Sequence, residues 1–173
     1  MDRIAEFGKV NPDIFKEIAQ EEFGLEDEEV FQAYENIVIP KRATAGSAGY
    51  DFYAPFDITL EPGETAKIPT GIRAKMENGW VLMVFPRSGF GFKYRLMLDN
   101  TVGVIDSDYY YSDNEGHIMI KVTNMSGVSK ENSGKTLKIT AGQGFAQGVF
   151  MPFGITLDDD ADGVRNGGLG STG

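Results

Sequence analysis

The chain has 173 residues, with 16 Lys and Arg against 26 Asp and Glu and a net charge of −10. That length suits one domain, or one domain with a small appendage, and the acidity disfavours duplex nucleic acid and anionic lipid as partners. With no cysteine and a single histidine, His117, it excludes disulfides, iron–sulfur clusters, thiolate zinc sites, a thiol nucleophile and a cage of imidazole ligands.

The opening, MDRIAEFGKV, has no apolar core of a secretory signal, and no apolar run approaches the roughly 20 residues of a membrane span. A cytoplasmic protein without a membrane or nucleic-acid partner is therefore expected. Residues 3–10 suit a short strand. Asn11-Pro12 then reads as an N-cap followed by Pro at the first helical position, and the helix places Ile14, Phe15, Ile18 and Phe23 near one stripe until Gly24 ends it. A second helical stretch, Glu26 to Asn36, carries Val30, Phe31 and Tyr34 on one face. Residues 1–36 are thus expected to form a strand and a helical hairpin ahead of a β domain. Their apolar face is read first as cover for the chain's own core, which leaves room for a protein partner there.

From Ile37 the texture changes. Short apolar or alternating runs recur at 50–53, 57–60, 65–68, 72–75, 80–85, 118–122, 136–139 and 145–150, separated by turn signals such as Glu61-Pro62-Gly63 and Ser133-Gly134. Asn78-Gly79 predicts a type I′ hairpin between its flanking runs. Many short strands argue for an antiparallel sandwich or barrel over 37–157. The tail, 158–173, is polar and Gly-rich. It suits a flexible arm whose Arg165, glycine N–H groups and hydroxyls could hold an anion.

Four Gly-rich islands interrupt the strands: Gly46–Asp51, Pro86–Gly91, Asn100–Tyr109 and Gly142–Gln147. None is a Walker or dinucleotide fingerprint. Arg87-Ser88-Gly89 offers a forked cation, a hydroxyl and bare backbone, which suits a phosphate as well as it suits an ordinary Pro-initiated turn. Asp106 and Asp108 either face one cleft from a strand, one of them as general base on water, or cap a turn. Tyr109 stacks on a sugar or base, or fills a strand position. Asp51 could reach Mg²⁺ through water, since magnesium keeps most of its hydration shell.

Together with the tail, these islands resemble the trimeric dUTP diphosphatases (dUTPases). The residues that carry the resemblance are Ala48–Asp51 (AGYD), Pro86–Gly89 (PRSG), Asn100–Tyr109 (NTVGVIDSDY), Gly142–Gln147 and Arg165–Gly173. The resemblance covers residues 37–173. It implies a mainly β, jelly-roll-like barrel, a homotrimer with active sites shared between subunits, and Mg²⁺-dependent hydrolysis of dUTP to dUMP and pyrophosphate. By position, Asp106 matches the general base. Asn100 and the Gly103, Val104 and Ile105 backbone match the hairpin that reads uracil, and Tyr109 matches the ring under deoxyribose. Arg87, Ser88, Gly89 and Gln147 match phosphate contacts. Asp51 matches the carboxylate that meets the metal through water. Arg165, Gly170, Ser171 and Thr172 match an arm that closes a neighbouring site.

Four departures stand beside these matches. Gln143 and Gly144 replace the usual Asp and Arg of the fourth island. Leu169 stands where an aromatic usually caps uracil, and Arg165 lies one residue closer to it than usual. Tyr110–Glu115 lengthens the hairpin after Tyr109, which shifts the match of Met119 to a base contact. Two alternatives are a dCTP deaminase of the same barrel and a non-catalytic regulatory protein. Deamination needs an acid/base Glu beyond the hairpin, and His117–Asn124 holds none. Intact Asp106 and Arg87 argue against the second alternative.

Overall fold

The computed structural model describes residues 2–128, 134–165 and 167. Leu169, Gly170, Ser171 and Thr172 of the expected arm, and Ser133 of one expected turn, lie outside them. The chain begins with β1 (Ala5–Lys9), α1 (Pro12–Phe23) and α2 (Asp27–Glu35). Both helices start and stop for local reasons. The Asn11 side chain accepts from the Asp13 N–H at 3.0 Å, and Gly24 ends α1 at φ 64°. Glu29 accepts from the Glu26 N–H at 2.9 Å, closing a capping box on α2. Phe15, Ala19, Val30 and Ala33 go into the same core cluster as the strands, so the apolar stripes are used internally. Phe31 departs from expectation. It is 58% exposed, because the buried positions of α2 are Val30 and Ala33 and residue 31 turns away from them.

Eleven strands follow β1: β2 (Lys41–Arg42), β3 (Tyr50–Tyr53), β4 (Ile58–Leu60), β5 (Thr65–Pro69), β6 (Ile72–Met76), β7 (Trp80–Pro86), β8 (Leu96–Leu98), β9 (Gly103–Ile105), β10 (Met119–Asn124), β11 (Leu137–Ile139) and β12 (Gly144–Pro152). A third helix, α3 (Ser88–Tyr94), follows β7, and a 3₁₀ turn occupies Ser107–Tyr111. The fold is mainly β, but its sheets stay open. Among the described residues the strand orders are β1-β6, β5-β10-β8, β11-β4 and β2-β3-β12-β7-β9, and no closed barrel forms.

The Asn78-Gly79 hairpin is corrected. β6 pairs with β1, and β7 pairs with β12 and β9, so this turn passes the chain between sheets. Gly79 has φ 84° while Asn78 is not among the positive-φ residues, which excludes the I′ geometry. A short turn dictates a reversal of direction. It does not dictate which strands then find each other.

Candidate active site

The hairpin Leu96–Ile105 splits between two sheets. Among the described residues β8 pairs only with β10 and β9 only with β7. The edges that these two consecutive strands leave unpaired flank a cavity of about 330 Å³. It is lined by Asn100, Gly103, Ile105 and Met119 of the residues predicted from sequence. Val104 is not in the lining; the alternation of β9 turns it outward, 48% exposed. Lys67, Asp99 and Lys121 also line the cavity and were missed. Their only sequence signal was a charged residue alternating with apolar ones in each of two strands.

Asp106 follows the last residue of β9 and stands at the N-cap position of the 3₁₀ turn, but its side chain makes no capping bond. Asp108 lies within that turn, so the two are not related by strand alternation. They converge on one cation instead. Arg165 Nη2 lies 2.5 Å from Asp106 Oδ2 and its Nε 3.0 Å from Asp108 Oδ1, with the guanidinium carbon 5.7 Å from the Tyr109 ring centre.

Tyr109 is 1% exposed and does not line the cavity. Its hydroxyl donates to the His117 carbonyl at 2.7 Å and accepts from Asn114 Nδ2 at 2.9 Å. Burial pushes its pKa up. The lengthened loop holds this arrangement. Ser112 Oγ donates to the Tyr109 carbonyl at 2.7 Å, and Gly116 N–H donates to Asn114 Oδ1 at 3.2 Å. Gly116 has φ 71°, and a Cβ there would stand 2.7 Å from the Tyr110 Cα, so the loop closes only with glycine at that position.

The expected phosphate residues form a second cluster. Arg87 Nε lies 3.3 Å from Asp51 Oδ1, and its Nη1 donates to the Gly144 carbonyl at 3.3 Å. A Cβ at Gly144 would meet that Nη1 at 2.7 Å. The departure at Gly144 therefore makes room for Arg87. The Gln143 side chain is turned to its own loop, where its Oε1 accepts from the Thr140 N–H at 3.0 Å. Gln147 is directly opposite Asp51 in the β3–β12 register, and Ser88 and Gly89 open α3 next to Arg87.

The two clusters do not meet within one chain. β3 and β9 are separated by β12 and β7, about 14 Å across the sheet at the usual strand spacing. Asp51 is level with Phe85, whereas Asp106 follows the residue opposite Leu82, a further offset of about 14 Å along the strands. Among the described residues no group of three or more metal-binding side chains occurs. Asp51 alone, already beside a guanidinium, fits only an ion that phosphate oxygens carry and that Asp51 meets through water.

A family model described as dUTPase matches residues 35–173. The deoxyuridine 5′-triphosphate nucleotidohydrolase of Lactococcus lactis subsp. lactis is 43% identical over 150 residues, spanning 84% of this chain and 95% of that protein. The crystal structure of a dUTPase from Streptococcus mutans is 42% identical, with a TM-score of 0.60 over 70% of this chain and 90% of that one. A dUTPase from phage phi11 of S. aureus, described as coordinating a structural Mg(II) ion, shares the fold at 20% identity, with a TM-score of 0.63 over 93% of this chain and 98% of that one.

Proposed function

This chain belongs to the dUTPase family, and on that premise we propose that it hydrolyses dUTP to dUMP and pyrophosphate in the cytoplasm. That reaction limits uracil incorporation into DNA and supplies dUMP for thymidylate synthesis. The observation that carries the reading is the cavity between β8 and β9, with Asp106 next to its lining residue Ile105. Uracil enters this gap, pairs with the free backbone edge along Gly103, Val104 and Ile105, and is met by Asn100 and Met119. The deoxyribose then lies toward Tyr109.

Asp106 takes a proton from a water as that oxygen bonds to the α-phosphorus. The bond from phosphorus to the bridging oxygen breaks, and pyrophosphate leaves. Asp51 would hold a magnesium ion through water, and that ion would supply neutralising charge at the triphosphate. Arg87, Ser88, Gly89 and Gln147 bind the phosphates.

A carboxylate at the metal and a base at the α-phosphorus have to stand within a few ångströms of one triphosphate. The separation of the two clusters supports a homotrimer in which one subunit supplies Asp106 and a neighbour supplies Asp51 and Arg87. A jelly-roll-like wrapping of the sheets and a helical hairpin ahead of them belong to the same reading. The arm from Arg165 through Leu169, Gly170, Ser171 and Thr172 closes a neighbouring site. For this, Arg165 first leaves Asp106 and Asp108. Both carboxylates are about half exposed, so each pair is worth no more than about 1 kcal/mol.

Product analysis with dUTP, dCTP, dTTP and UTP under Mg²⁺ tests the reaction. Pyrophosphate and dUMP are expected from dUTP, with little turnover of the other three. Ammonia released from dCTP would point to a deaminase, and no turnover of any of the four would point to a binding protein.

A further inference from the structure

The cavity carries two cations that the family motifs do not use. β5 and β10 pair with Lys67 directly opposite Lys121, and both residues line the cavity. Like charges opposite each other in a sheet repel. Here each ammonium has its own carboxylate. Lys121 Nζ lies 3.5 Å from Asp99 Oδ2, on the hairpin that carries Asn100. Lys67 Nζ lies 2.6 Å from Oε1 of Glu22, on α1. Glu22 belongs to a segment that precedes the family match, which starts at residue 35.

By the rules of a helix, Glu22 is badly placed. It is the penultimate residue of α1, whose last turn holds no basic residue. The negative end of the helix dipole disfavours a carboxylate there. A local rule broken within an element is commonly compensated outside it, and Lys67 is the compensation. The two side chains are only 31% and 28% exposed, so solvent screens the pair incompletely. A lysine stem loses much rotamer freedom when ordered. The tie to Glu22 takes that loss before a ligand arrives, leaving the ammonium pre-organised on a residue of the cavity lining.

We propose that Lys67 is a base-selecting residue of this pocket, held in place by Glu22, and that its ammonium donates a hydrogen bond to the C4 carbonyl oxygen of uracil. The inference rests on reading the cavity as the nucleoside pocket. An ammonium has three donors and no acceptor, so one can serve Glu22 while another serves the base. Cytosine carries an amino group at C4, itself a donor. Donor then faces donor, and the mismatch rejects the wrong base. Through Glu22, a helix outside the family match acts on substrate choice.

Steady-state kinetics on the full-length protein, with dUTP as substrate and dCTP as competing inhibitor, test this with Lys67→Met, Lys67→Arg, Glu22→Gln and the Lys67→Met/Glu22→Gln double variant. Lys67→Met is expected to raise KM for dUTP about tenfold with kcat held within about twofold, and to narrow the preference for dUTP over dCTP. Lys67→Arg restores most of the KM. Glu22→Gln raises KM by about threefold alone and adds nothing in the Lys67→Met background, as expected of a positioning residue. An unchanged KM and base preference in Lys67→Met would overturn the proposal. So would a Glu22→Gln effect of equal size in both backgrounds, or a KM change that only follows a fall in melting temperature and kcat. A wild-type protein that does not cleave dUTP would instead overturn the reading of the pocket.

Discussion

Asp106 and Asp108 stand two residues apart and share one guanidinium, so charge alone does not separate their roles. Backbone position does. Asp106 follows directly on Ile105, held in register opposite Leu82, whereas Asp108 sits in the 3₁₀ turn beyond it. Asp106→Asn keeps the shape of the side chain and removes proton acceptance. It is expected to lower kcat by about two to four orders of magnitude while dUTP still binds, as measured by single-turnover kinetics beside calorimetric titration. Near-normal kcat would move the base elsewhere. Tyr109 is held by its hydroxyl to His117 and Asn114 rather than left to swing. On the proposed reading the sugar packs on this fixed ring once Arg165 has left it, and a ribose 2′-hydroxyl then finds neither space nor a partner. Tyr109→Ala should therefore reduce the ratio of kcat/KM for dUTP over UTP; an unchanged ratio would reduce the ring to a core aromatic.

At the scale of elements, the C-terminal segment differs in kind from the strands. Beyond β12, Ile155, Leu157 and Val164 are 73%, 109% and 84% exposed, and Arg165 pairs back to Asp106 and Asp108. None of these residues belongs to the core cluster. Deleting Arg165–Gly173 is expected to leave the melting temperature within a few degrees of the parent while removing most turnover of dUTP. Full activity in the truncated protein would show that the arm takes no part in the reaction. α1 is the opposite case. Phe15 and Ala19 are both 0% exposed, so the helix cannot be removed without opening the core, and its role has to be probed by point substitution at Glu22.

For the molecule as a whole, two quantities follow. Asp51 and Asp106 lie too far apart in one sheet to serve one triphosphate, so light scattering should give a mass near three chains. A mass near one chain would leave the site incomplete. Stability should also depend on His117. Its Nε2 accepts from the Gly71 N–H at 3.0 Å, its Nδ1 has no partner among the described residues, and burial lowers its pKa to about 4. The unfolded chain binds a proton below its ordinary pKa of 6.5, which the folded chain refuses until about 4. Stability from this group is thus complete above pH 6.5 and is lost as pH falls toward 4. Between pH 7 and pH 5 the loss should be about 2 kcal/mol. Urea melts of the parent and of His117→Gln at the two pH values measure it, and an equal loss in both proteins would assign the dependence to other groups.

Local chemistry was legible before any coordinates. The Asn11-Pro12 start and Gly24 stop of α1 needed only capping rules, and the alternating runs announced most strands of the mainly β fold. The islands around Arg87, Asn100 and Asp106 pointed to a nucleotide hydrolase because their order and residue types are specific. What the sequence did not contain was partnership between distant segments. It suggested a hairpin at Asn78-Gly79, but a two-residue turn carries no information about the sheet each strand joins. It left Asp106 and Asp108 open between one strand face and a turn, and only the structure shows that the strand stops at Ile105 and a 3₁₀ turn takes over. It left Lys67 unremarked, since a lone lysine in a strand looks like any solvated position. Only tertiary structure brought Lys67 to the cavity, set Glu22 of α1 against it and separated Asp51 from Asp106. These are contacts between residues far apart in the chain, and they depend on how whole elements dock, which no local pattern specifies.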